Sequence, residues 1–326
     1  MTIHRRHVLA AATLTLVGPW ARAQALAENA KIFAGFAAGG TVDVTSRRIA
    51  EKLRDVIAKN VVVENRTGAG GQLALSALKT AAPDGLTLAV TPMSMLGIYP
   101  HTYKKLPYDP VADFVPVSQA VRFDFGFAVG PALPASVTNL AEFIAWCKAN
   151  PNGANFGSPA PGSVPHFVAE LFGRAAAIND FKHVPYRGTQ PAIVDLMGGQ
   201  VSSVSGPVGE FLQHLPTGKV RLIATSGPAR NKFAPNVATY AEQGFKDIVF
   251  DEWFAIYAPA KTPPDVVARL SAAVQKALAS QDVIDGLAQM GLEARGSSSA
   301  DLAGLLDRDS KRWAPLVKAI GFTAES

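Results

Sequence analysis

The sequence predicts an α/β protein of two domains, with mostly parallel sheets covered by helices on both faces. Three observations predict it. A chain of 326 residues exceeds what one hydrophobic core comfortably organises, so about two domains are expected. Short apolar runs alternate with amphipathic stretches along its length, the pattern of parallel strands joined by crossover helices. Glycine-bearing turns, part of a content of 28 Gly and 23 Pro without a fixed period, stand where strand should pass to helix.

In order, Ile32–Phe36 reads as a strand, Gly39-Gly40 as a turn and Val42–Ile57 as a helix. Val61–Val63 is a second strand, the glycine-rich turn Gly68–Gly71 leads into a helix over Leu73–Leu78, and Leu86–Thr91 is a third strand after the Pro83-Asp84-Gly85 turn. Pro100–Phe125 lacks helix periodicity and is rich in Pro, Asp and Lys, which predicts a crossing between domains. Alternation resumes with strands at Phe123–Val129, Asn155–Gly157, His183-Val184, Val201–Ser205 and Val220–Thr225. Helices lie between them at Leu140–Ala149, His166–Ala175 and Pro191–Met197. Gly244–Trp253 is the expected second crossing, and the tail is helical over Pro264–Ala279, Val283–Met290 and Ala300–Ala319. Two crossings divide the chain into a discontinuous first domain (26–124 and 250–326) and a second domain (125–249). Ligands of such sheets bind beyond the carboxyl ends of the strands, which here means between the domains.

Residues 1–25 read as an address and not as part of the fold. A basic start through His7 precedes the apolar run Val8–Val17, then the Gly18-Pro19 break, then the small-x-small site Ala21-Arg22-Ala23. That order marks a signal peptide and places the working protein in a periplasm. Arg5-Arg6 resembles a twin-arginine signal without the usual Ser or Thr before it, so the export route stays open. The three arginines of this segment account for most of the formal charge of +5; the rest is nearly balanced, which gives nucleic acid no basic face to bind. Hydrophobic residues at 48% and charged ones at 17% exclude a disordered chain, and no apolar run reaches the length of a membrane span. The single cysteine, Cys147, excludes a disulfide framework. It shares a helix face with Leu140, Phe143 and Ile144, so a buried, inert thiol is expected.

Chemistry-bearing motifs are absent where enzymes need them. Gly68-Ala69-Gly70-Gly71 is not a dinucleotide fingerprint, because Leu73 stands where the third glycine belongs, and no Gly-Lys-Ser/Thr occurs. No nucleophile elbow exists around Ser205-Gly206-Pro207, and the six histidines form no zinc-binding pair. No catalytic residue, metal or cofactor is expected, and the chain is expected not to be an enzyme. What recurs instead is a strand, a glycine turn and a hydroxyl at a helix start: Phe36 to Thr41, Ser158 to Ser163, and Tyr186 to Thr189. Free amides at helix N-termini suit a carboxylate or phosphate. Each turn alone is more often a plain helix cap. His166, in the first turn after Ser163, either contacts ligand or locks its loop, with the lock favoured. Asp43 lies four residues before Arg47; since facing an anion directly it would repel it, it either braces the first turn, acts through water or receives a ligand amine, with the brace favoured.

Together these strings resemble the substrate-binding proteins of the tripartite tricarboxylate transporter family, also called the Bug family. The resemblance rests on Gly39–Asp43, Val63–Gly71, Pro83–Leu88, Tyr108–Pro110, Gly162-Ser163 with His166, His183–Thr189, Gly198–Val201, Gly218–Arg221 and Thr262-Pro263. It implies a two-domain periplasmic-binding-protein-like fold of type II closing on a small organic carboxylate, which is handed to the large and small subunits of a membrane permease. The alternative is a periplasmic sensor that presents its bound form to a histidine kinase. A monomer is expected. Carried onto matching positions, the contacts are Phe36, Gly39, Gly40, Thr41, Asp43 and Ser94 from the first domain. From the second come Ser158, Gly162, Ser163, His166, Thr189, Gly206 and Pro207. Departures at Pro159, Ala160, Pro161, Ser202, Ser203 and Ala255 leave the ligand's identity open.

Overall fold

The computed structural model describes residues 26–324; the signal-peptide reading of residues 1–25 lies outside them. The first turn of the fold runs from β1 (Ala27–Ala34) through α1 (Thr41–Leu53) to β2 (Ala58–Asn65), which pairs in parallel with β1. After the glycine-rich turn come α2 (Gln72–Lys79) and β3 (Thr87–Pro92), the latter parallel to β1 on its other side. A π-helical turn (Ser94–Ile98) and the short α3 (Tyr99–Thr102) follow.

The long strand β4 (Phe114–Val129) then passes from one half of the sheet to the other. In the second half, α4 (Leu140–Ala149), β5 (Asn155–Ser158), α5 (Val164–Ala175), β6 (Lys182–Pro185), α6 (Thr189–Met197) and β7 (Ser203–Pro207) alternate. There β5 pairs in parallel with β6 and β7. The chain continues through α7 (Val208–Leu212) and β8 (Arg221–Thr225), then returns to the first half as β9 (Asp251–Pro259). The tail is α8 (Pro264–Leu278), α9 (Gln281–Ala288), the two-residue β10 (Glu293-Ala294) and α10 (Ser299–Ile320).

The strand order is β2-β1-β3-β9-β4-β7-β5-β6, with β8 and β10 also on β4. Parallel pairs form the outer part of each half, and antiparallel pairs form the centre. From Phe114 to Asp124, β4 lies against β9; from Phe125 onward it pairs with β7 and β8. The stretch expected to be a plain crossing is therefore in part a central strand. Its run Phe-Val-Pro-Val-Ser-Gln-Ala-Val has buried residues on both sides of its pleat, so it lacks the polar alternation that would have marked it. The same holds for β9, whose last eight residues are all buried.

Packing explains the glycine-rich turn as well. Gly70 and Gly71 adopt φ of 62° and 93°, open to glycine without strain. Tyr99 donates its hydroxyl to Gly70 O at 2.9 Å, and a Cβ on Gly71 would stand 3.2 Å from the Phe36 ring. The turn is thus a seat for Phe36. The second half has an aromatic core in which Phe127 meets Phe143 and Phe172 edge-on at 5.1 and 5.4 Å, a favourable arrangement. Cys147 is buried there and free, and burial pushes its thiol up to about 12. Trp313 on α10 stacks on Phe250 and leans on Phe167 of α5, so the tail helix touches both halves.

Candidate ligand cleft

The tips of α1, α5 and α6 meet between the two half-sheets around a cavity with about 480 Å³ of empty space, part of it open to solvent. Seven of the thirteen expected residues line it: Phe36, Gly40, Thr41, Ser94, Ser163, Thr189 and Pro207. The remaining six do not line it. Gly39 is exposed and opens the turn at φ 79°. Asp43 braces that turn: it accepts from Gly39 N at 3.0 Å, from Asn65 Nδ2 at 2.8 Å and from Arg47 at 2.9 Å. Burial pushes the Asp43 carboxyl up, but these bonds, Arg47 foremost, outweigh it and hold it below the usual range. Ser158 is bonded to His183 Nε2 at 2.8 Å. Gly162 N donates to His166 Nδ1 at 3.1 Å, and His166 stacks on His183 with centroids 4.0 Å apart. Burial drives both imidazoles down, to about 2 and about 4, so they are neutral spacers that fix the α5 turn. Gly206 makes room: a Cβ there would stand 2.4 Å from Thr189 Cγ2.

The polar wall of the cavity differs from a bare set of helix-tip amides. Glu210 on α7 reaches across to α1, where its Oε1 accepts from Thr41 N at 3.0 Å and from Thr41 Oγ1 at 2.7 Å. Its other oxygen accepts from Gln190 Nε2 at 3.3 Å. Glu252 on β9 accepts from both the amide and the hydroxyl of Ser94. Ser94 Oγ in turn accepts from Val164 N at 3.2 Å. The protein's own carboxylates therefore occupy donors that the sequence reading reserved for a ligand anion. Both glutamates are buried, at 4% and 3% exposure. Desolvation raises each carboxyl, Glu252 to about 7, against the opposing bonds from Thr41 and Ser94. Phe123, Phe125 and Phe254 complete the wall, and Tyr186, which donates to Asp195 Oδ2 at 2.8 Å, is not part of it.

Sequence reasoning missed Glu210, Glu252 and the three phenylalanines. Glu252 fell in the expected second crossing, and Glu210 lies 169 positions from the Thr41 it meets. The available signal was the pair of acids embedded in otherwise apolar runs, Gly-Pro-Val-Gly-Glu-Phe-Leu and Phe-Asp-Glu-Trp-Phe. Among the described residues no group of acids, histidines and cysteines is arranged to hold a metal, and no described helix is long and apolar enough to cross a membrane.

Residues 45–322 match the family model of the tripartite tricarboxylate transporter family receptor. The chain belongs to this receptor family. Protein BugT of Bordetella pertussis is 34% identical over 289 residues, covering 88% of this chain and 87% of that one. The structure of periplasmic binding protein BugD superposes with a TM-score of 0.85 at 28% identity, over 91% of this chain and 98% of that chain. The R. palustris protein Rpa4515, solved with adipate, gives the same score, identity and coverage. A receptor of this family is a solute-binding protein and not an enzyme, and its α/β fold is that of periplasmic binding proteins.

Proposed function

We propose that this receptor captures a small organic carboxylate in the cleft between its half-sheets, outside the cytoplasm, and delivers it to the large and small subunits of a tripartite permease. The observation that carries the reading is the cavity itself, to which loops and helix tips from both half-sheets contribute. The family assignment and the adipate held by Rpa4515 support the ligand class. In this reading residues 26–124 with 250–326 and residues 125–249 are the two bodies that close on the solute. Closure must be favoured by contacts that exist only in the closed form. The bonds from Thr41 to Glu210, from Val164 to Ser94, and from Tyr103 to Pro161 O at 3.1 Å run between these two bodies, and opening the cleft would have to break them.

Titration calorimetry of the mature chain with a panel of organic acids tests capture, since a solute specific to the native state also raises its melting temperature. Gln190→Trp, a half-buried wall position, is expected to weaken binding at least tenfold while leaving the fold intact. Undiminished affinity in that variant contradicts the site. Delivery is tested by uptake of the same acid in cells with and without the permease genes; permease-independent uptake contradicts it.

A further inference from the structure

The chemistry of the wall bears on which solute the cleft takes. Glu210 and Glu252 enter it from opposite half-sheets, both buried. Among the described residues no lysine, arginine or histidine lines the cavity. Four phenyl rings do: Phe36 beyond β1, Phe123 and Phe125 on β4, and Phe254 on β9. Phe123 stands 4.6 Å from Phe254 and 5.5 Å from Phe125, centroid to centroid. Glu252 Oε1 takes both bonds from Ser94, and among the described residues no bond reaches its other oxygen.

We infer that the solute presents a protonated or quaternary amine to this cleft, set against Glu252 and Glu210 and faced by the phenylalanine rings. The inference deepens the proposed function and rests on the cleft being the solute site. Where these two carboxyls ionise in a poorly solvated cavity they repel a polycarboxylate, because Coulomb energies rise as water is excluded. A buried acid without a cationic partner is costly, and an ammonium entering the cavity supplies that partner. Aromatic faces attract the same group, the basis of choline and methyl-lysine recognition. A carboxylate elsewhere on the solute is compatible with this arrangement; the amine is the group that discriminates.

The titration of Glu252 supports the reading. The charged groups that act on it, Asp251 on β9 and Asp309 on α10, are acids as well. Arg122 on β4 is paired with Asp251, and Asp309 accepts from Trp253 Nε1 at 2.7 Å. With burial they bring Glu252 to about 7, so it is mostly ionised at pH 8.

The test compares matched acids with and without an amine on the mature chain at pH 8: succinate with aspartate, adipate with 2-aminoadipate, phenylacetate with phenylglycine. The expected result is that an amine-bearing member raises the melting temperature and binds at least tenfold tighter than its partner. Glu252→Gln, which keeps the size and the bonding to Ser94, should erase that preference, and Glu210→Gln should reduce it. Both variants are checked for an unchanged circular dichroism spectrum. Amine-free acids binding as tightly as their partners, or a preference untouched by Glu252→Gln, overturn the inference and leave the carboxylate-capture reading standing. No shift from any amine-bearing member overturns the inference as well, and no shift from either member of any pair counts against both.

Discussion

Glu252 is a single carboxyl whose environment has a measurable consequence for stability. Its folded-state value of about 7 lies above the usual 4.5. A raised acid binds its proton more tightly in the native state, so its contribution is fully present below pH 4.5 and is lost as pH rises through 7. The difference corresponds to roughly 3 kcal/mol. Urea unfolding of the solute-free protein from pH 4.5 to 8 is expected to show this loss, and Glu252→Gln to flatten it and to be the more stable protein at pH 8. An unchanged slope in the variant would assign the titration elsewhere. Cys147 offers a second check. Its buried thiol, pushed up to about 12, should react with a disulfide reagent only as fast as the chain opens, whereas prompt labelling of the native protein would contradict its burial. Single residues were legible unevenly. Asp43 was readable as a brace because its partner Arg47 is local, four positions away on the same helix. Glu210 and Glu252 were not, because the residues that bond them are brought close only by the fold.

At the scale of elements, caps and close contacts are where single substitutions have separable effects. Asn139 caps α4 by accepting from Glu142 N at 3.0 Å, while Glu142 accepts from Thr138 N at 2.7 Å. Asn139→Ala should cost about 1 kcal/mol of unfolding free energy and leave solute affinity unchanged, because this cap lies outside the cavity wall. By contrast α7 is seated with no room to spare. A Cβ on Gly209 would fall 1.4 Å from Met290 O, which forces backbone to move. Gly209→Ala should cost at least about 2 kcal/mol and displace the neighbouring Glu210, weakening solute binding along with stability. Denaturation and calorimetry on the two variants separate the cases. The long helices were legible from their periodicity, α4 over the same residues that the structure gives it. The π-turn at Ser94–Ile98 and the five-residue α7 were not, since a single turn carries too few residues to display a period. The first half of β4 and most of β9 were hidden by burial on both faces, which removes alternation, and by Pro116 and the acids at the start of β9, which mimic a linker.

Across the whole molecule, the alternation of strand and helix sufficed to predict the α/β class, and the glycine turns pointed to the helix tips that line the cavity. What the cleft holds out to a solute depends on which side chains the long central strands deliver to it. That delivery follows from the register of β4 against β9, where Phe123 faces Glu252 and Val121 faces Phe254. Register of this kind is set by tertiary pairing and not by any local string. The strands that span the middle of the sheet therefore shape the wall, and the bonds between Glu210 and Thr41 tie its two sides together. The most direct measurement of the account is a crystal structure of the receptor with the solute that most raises its melting temperature. It is predicted to lie between Phe36 and Phe254, with a polar atom within hydrogen-bond distance of Glu252. A solute bound outside this cavity, with the cleft empty, would contradict it.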